Sequence, residues 1–158
     1  MLTTAQLQVL RTSILAEIDP IFATYRTQGS TGQMAEWFNQ PSATVVWKTS
    51  VPKNEVGKAF QATALAAITA GNNDKLANFA AWNDVIDPSR ADQRGFFNDV
   101  FSVAAGATTR AALDELWRRF ATRGERIFAV GTGTTLAPST LEFEGQITND
   151  DVVRAVNL

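Results

Sequence analysis

Apolar residues recur three and four apart through most of this chain, whereas strict alternation is confined to one short stretch near the C-terminus. This imbalance constrains the fold most, because such spacing buries a continuous face only when the backbone winds at about 3.6 residues per turn. Leu7, Leu10, Ile14 and Ile18 mark one stripe of a helix over 4–18, opened by the capping box Thr3-Thr4-Ala5-Gln6 and ended by Pro20. Met34, Trp37 and Phe38 cluster in a short helix over 30–39 that Pro41 closes. Residues 53–70 carry Val56, Phe60, Ala64, Ala67 and Ile68 on one stripe, and Gly71-Asn72-Asn73 reads as its C-cap and turn. A further helix over 74–85 bears Leu76, Phe79 and Trp82.

Asp87-Pro88-Ser89 has the form of a helix start, an Asp cap followed by Pro at the first helical position. Phe96, Phe97, Val100 and Phe101 follow it, and Gly106 stops it. The longest predicted helix spans 109–129, with Leu113, Leu116, Trp117, Phe120, Ile127 and Phe128 as its stripe and Gly131 as its terminator. Thr148-Asn149-Asp150 caps a short last helix that turns Val152, Val153 and Val156 inward.

The β-branched run at 44–51 (TVVWKTSV) reads as a short strand. Between 140 and 148, Leu141, Phe143 and Ile147 point one way while Thr140, Glu142, Glu144, Gln146 and Thr148 point the other, the pattern of a half-buried strand. The fold expected is mainly α: a single-domain helical bundle over 1–158 with a small β element near 141–147. Its candidate partner is 44–51, and 131–140 forms a flexible connector or arm. A chain of 158 residues has the length of one domain, with one core that needs no disulfide or metal.

Composition excludes much chemistry. The chain has no Cys and no His, which removes thiolate nucleophiles, cysteine metal sites and every Ser-His or Cys-His arrangement. A net charge of −2 exerts no general pull on nucleic acid or an anionic membrane. The N-terminal stretch lacks the basic leader of a signal peptide, and the longest uncharged run is too polar to span a bilayer. These features lead us to expect a soluble protein made in the cytoplasm.

Three groups of residues invite functional readings. Gly131-Thr132-Gly133-Thr134-Thr135 has the look of a phosphate cradle, yet it follows a helix, Leu136 stands where a third glycine would be needed, and no lysine follows Lys75. A helix stop and connector fits it better. Glu142, Glu144, Asp150 and Asp151 lie within ten residues but lack calcium-loop spacing, so a solvated strand face and acids at a helix start account for them. Arg110, Arg118, Arg119, Arg123 and Arg126 fall on the long helix, with Glu115 spaced to pair with Arg119. A solvated face or a protein interface is favoured for them over a nucleic-acid contact, since the aromatic residues belong to the apolar stripe. Trp37, Trp47, Trp82 and Trp117 all sit at core-like positions, Trp47 being the one least expected to be buried.

Two stretches, AEWFNQPSATVVWKTSV (35–51) and RRFATRGERIFAVGTGTTLAPSTLEFEGQITNDDV (118–152), resemble a family of small proteins of tailed bacteriophages encoded among the head and tail morphogenesis genes. The ATR-x-E-R-x-F helix end followed by GTGTT-x-A-P-x-T-x-x-F-E-G carries most of the likeness, and the two stretches together cover about a third of the chain. The resemblance implies a virion or assembly role, with no catalytic, cofactor or metal residues to carry over. We therefore expect a non-enzymatic head–tail connector or neck subunit, made in the host cytoplasm and resident in the virion. Its expected partners are itself, as a ring, and portal, connector or tail subunits. A tail-associated protein, a transient assembly chaperone and a helical nucleic-acid binder using the arginine face are the alternatives. The residues expected at the interface are Thr132, Thr134, Thr135 and Leu136 as a mobile arm, Leu141, Phe143 and Glu144 on the strand, and Arg118, Arg119, Arg123 and Arg126.

Overall fold

The computed structural model describes residues Met1–Leu158. In chain order its elements are α1 (Thr4–Ala16), α2 (Pro20–Thr27), α3 (Thr31–Phe38), β1 (Pro41–Trp47), β2 (Val51–Pro52), α4 (Lys53–Lys58), α5 (Ala62–Ala67), α6 (Ala70–Trp82), β3 (Val85–Ile86), α7 (Ala91–Val100), α8 (Ala107–Leu116), β4 (Arg118–Thr122), α9 (Arg123–Arg126), β5 (Ala129–Val130), β6 (Thr140–Leu141) and α10 (Asn149–Val156). A 3₁₀ turn at Ala104–Gly106 leads into α8. Helix takes up 56% of the chain and the strands form only two-stranded pairs, so the mainly-α expectation with a small β element holds.

The chain gathers into two compact units, Met1–Val46 with Phe120–Leu158, and Trp47–Arg119. Where length suggests one core, the buried side chains form two clusters, one in each unit. The first unit packs α1, α3 and α10 around Leu10, Ile14, Phe22, Met34 and Val152, with Phe22 against Trp37 and Phe38 at ring separations of 5.7 and 5.5 Å. Its capping follows the sequence closely. Thr3 and Gln6 form the expected box on α1, and Thr148 forms another with Asp151 on α10.

The second unit is built around Phe97, which is 1% exposed and meets Phe60, Phe79, Phe96 and Trp117 at centroid distances of 5.2–6.3 Å. Antiparallel β2 and β3 pair Val51 with Ile86 beside it. Gly106 is required here by close approach, since a Cβ at that position would lie 2.1 Å from the Phe101 carbonyl oxygen.

Several expected boundaries are corrected by tertiary hydrogen bonds. The helix expected over 109–129 ends at Leu116, where the Arg118 side chain and Lys48 from a distant segment take its last carbonyls. Arg118 Nε donates to Asp114 O at 2.6 Å, Lys48 Nζ to Leu116 O at 2.6 Å, and Lys48 N to Trp117 O at 2.8 Å. Residues 118–122 then run as β4 paired with β1, which leaves Phe120 66% exposed rather than on a core stripe. The helix expected over 53–70 breaks at Gln61, whose N–H is met by the buried Thr109 hydroxyl at 3.1 Å. Gly71-Asn72-Asn73 lies inside α6, which Thr69 caps. Asp87 holds an Asx turn through Ser89, and α7 begins only at Ala91. The N-terminal helix stops at Ala16, leaving Ile18 90% exposed, and Pro20 opens α2 behind the Asp19 cap instead of merely ending α1.

Candidate interaction surface

The glycine-rich segment is a pinned loop. Val45 N donates to Gly133 O at 2.8 Å and Ser139 N to Val45 O at 3.0 Å, so both limbs of the loop hang on β1. Gly133 has φ +68°, and a Cβ there would lie 2.5 Å from Thr44 Cγ2. Only glycine permits both the left-handed backbone and this close approach. The tip is closed by reciprocal 3.2 Å bonds between the backbones of Thr134 and Ala137, and Thr132 Oγ1 donates to Ala137 O at 2.8 Å. Leu136 at the tip is 98% exposed, so almost none of its side chain is covered by its own chain.

The expected arm is thus anchored along its base, and what it presents is a closed turn carrying Leu136, flanked by the exposed Thr134 and Thr135. The strand expected over 141–147 is shortened to β6, which pairs antiparallel with β5 (Ala129 opposite Leu141, Val130 opposite Thr140). The alternation nevertheless survives as burial: Leu141 and Phe143 are half-buried, Ile147 is buried, and Glu142 and Glu144 are exposed. Phe143 packs edge-on against Phe128 at 5.3 Å and so supports the first unit's core. The contact with 44–51 comes from the loop, through a parallel bridge between Val46 and Ser139.

The arginines do not share a helix face. Arg118 and Arg119 belong to β4 and lie in the second unit, while Arg123 and Arg126 belong to α9 in the first. Glu115 pairs with Arg118 rather than with Arg119, as the end of α8 brings the i,i+3 pair together. Arg110 donates to the Phe101 carbonyl. Arg123 lies over the Trp37 ring, 3.8 Å from its centroid, a cation–π contact that also covers the indole. Both Arg123 and Arg126 line a cleft of about 390 Å³ with Glu17, Asp19, Trp37 and Ser42. The Asp19 carboxylate there accepts the Ile21 and Phe22 amides, and Glu17 accepts those of Ile18 and Asp19, so the acids serve helix ends.

Sequence reasoning missed two polar side chains of the first unit, one half-buried and one buried, that tie together segments far apart in the sequence. Asn39 bonds the Ile147 backbone in both directions at 2.8 Å. Asp151 is 3% exposed and accepts Leu2 N at 3.2 Å, Thr148 N at 3.1 Å and the Thr148 hydroxyl at 2.7 Å. Burial pushes its carboxyl pKa up, but these bonds and the N-terminal ammonium outweigh burial and hold it below the usual carboxylate range. Trp82, placed in the core by spacing, is 86% exposed at the end of α6, while Trp37 and Trp117 are buried and Trp47 is half-buried under Arg94.

A second cavity, of about 320 Å³, opens in the first unit among Arg11, Ile14, Leu15, Arg26, Met34 and Val156. No signal in the sequence marks it, because it forms where α1, α2, α3 and α10 leave a gap. No group of three or more acidic, His or Cys side chains is placed to hold a metal ion, and no helix is long and apolar enough to cross a membrane. Comparison with protein-family models, curated proteins and solved structures finds no match to this chain.

Proposed function

We propose that this protein is a non-enzymatic structural subunit of a tailed-phage particle, a head–tail connector or neck protein that docks to its neighbours through the 131–139 loop. The observation that carries the reading is the presentation of Leu136, 98% exposed on a turn fastened to β1. An apolar side chain held out by a closed turn costs little further ordering on docking, which suits it to an interface. The sequence likeness to phage morphogenesis proteins over 118–152 includes this same loop and supports the setting.

The test is mass spectrometry and electron microscopy of purified particles of the phage that encodes the chain. The expected result is a fixed number of copies per particle at the head–tail junction. Particles that contain none overturn the reading. Presence in infected-cell lysate without presence in particles points instead to a transient assembly chaperone.

A further inference from the structure

We propose that the cleft between α9 and the turn joining α1 to α2 binds a zwitterionic ligand, which sets its carboxylate on Arg123 and Arg126 and its cationic group on Glu17 and Asp19. The site lies wholly in the first unit, apart from the 131–139 loop, and does not depend on the phage reading. At about 390 Å³ the cleft has the volume of a small-molecule site. Two guanidiniums on α9 face it, with two carboxylates from the end of α1 and the cap of α2. None of these four groups takes part in an ion pair. Other contacts hold three of them in place. Arg123 lies over the Trp37 ring, 3.8 Å from its centroid. Glu17 Oε1 accepts the Ile18 and Asp19 amides at 3.0 and 3.2 Å, and Asp19 Oδ1 accepts those of Ile21 and Phe22 at 2.9 and 3.4 Å. One oxygen of each carboxylate is thereby fixed, and the other carries no hydrogen bond.

A second observation points to an acceptor-bearing ligand. Trp37 lines the same cleft and is 7% exposed, and its indole N–H is buried with no acceptor in the chain. Buried donors are satisfied in the great majority of cases, and this one stands beside two guanidiniums rich in donors. A carboxylate offers acceptors to all three, and its planar pair of oxygens matches the guanidinium fork. Charge then selects the rest of the ligand. A simple anion would meet repulsion from Glu17 and Asp19, a simple cation would meet it from the arginines, and an apolar group would strip water from four charges without repaying it. A molecule with both charges compensates both walls, and the partly fixed side chains lose little freedom on binding it.

The test follows the Trp37 indole N–H resonance of the purified full chain by NMR, assigned by its loss in Trp37→Phe. Two probes carry the same paired charges from different sources: the free dipeptide L-alanyl-L-alanine, and the blocked tripeptide acetyl-Lys-Ala-Glu-amide, whose charges are on side chains alone. A saturable shift is expected with a Kd on the order of 1 mM, the scale for a small polar ligand in an open cleft. Acetylating the dipeptide or amidating its carboxyl group should each weaken binding about tenfold or more, since each leaves one wall unmatched. Arg126→Ala should weaken it by a similar factor with the melting temperature unchanged, because the Arg126 side chain joins no ion pair within the chain. Glu17→Gln should narrow the difference between the free and the acetylated dipeptide. Binding of the dipeptide alone supports the site with a small-molecule ligand, and binding of the tripeptide alone supports it with a mixed-charge segment of a partner polypeptide. No saturable shift with either probe, an acetylated dipeptide that binds as well as the free one, or binding indifferent to Arg126→Ala overturns the proposal.

Discussion

The Asn39 side chain bonds the Ile147 backbone in both directions, donating from Nδ2 to the carbonyl and accepting the amide at Oδ1, each at 2.8 Å. It acts as a short piece of strand, joining residues 108 apart in sequence at the point where the chain after β6 turns into α10. Replacing it strands two partly buried backbone groups. Asn39→Ala should cost about 2–4 kcal/mol, read by chemical denaturation. Asn39→Asp keeps the acceptor but loses the donor and sets a carboxylate against the Ile147 carbonyl. It should destabilise at least as much at neutral pH and recover partly on acidification.

Asp151 ties the N-terminus to α10. Its folded pKa is lowered, so its contribution is fully present above the unfolded value of about 3.9 and is lost as pH falls through the folded one. Asp151→Asn should destabilise by about 1–2 kcal/mol at pH 7, the scale of a helix cap. The gap from the parent protein should narrow as pH is taken below about 4. A gap that stays constant across that range would contradict the assignment.

Gly106→Ala places a Cβ 2.1 Å from the Phe101 carbonyl oxygen, backbone that cannot swing aside. The turn before α8 must shift, at a cost of about 1–3 kcal/mol. Hydrogen exchange should place the loss in the Trp47–Arg119 unit, around Phe97 and Trp117, with protection of Leu10 and Val152 in the other unit less affected.

Arg123 covers the Trp37 indole. Arg123→Ala should cost about 0.5–2 kcal/mol and change Trp37 fluorescence, while Arg123→Lys should restore part of the stability. Equal losses in both variants would mean that the stacked guanidinium plane, rather than the charge, is what matters.

Local chemistry was legible in the sequence: the Thr3 cap, the 30–39 helix, the Phe97 face and the alternation from Leu141 to Ile147 all stand in the structure. Each depends on groups a few residues apart, and periodicity reports such relations directly. The sequence also bounded the chemistry by containing neither Cys nor His. Tertiary structure decided the rest. Lys48 and Arg118 took the carbonyls that would have extended α8, Thr109 took the Gln61 amide, and β1 turned an apparent arm into a fastened loop. Those choices separated the arginines, exposed Trp82 and Phe120, and opened a cavity among four helices. A hydrogen-bond partner that arrives from 48 or 68 residues away leaves no periodic trace, so the outcome is settled only once the chain has packed.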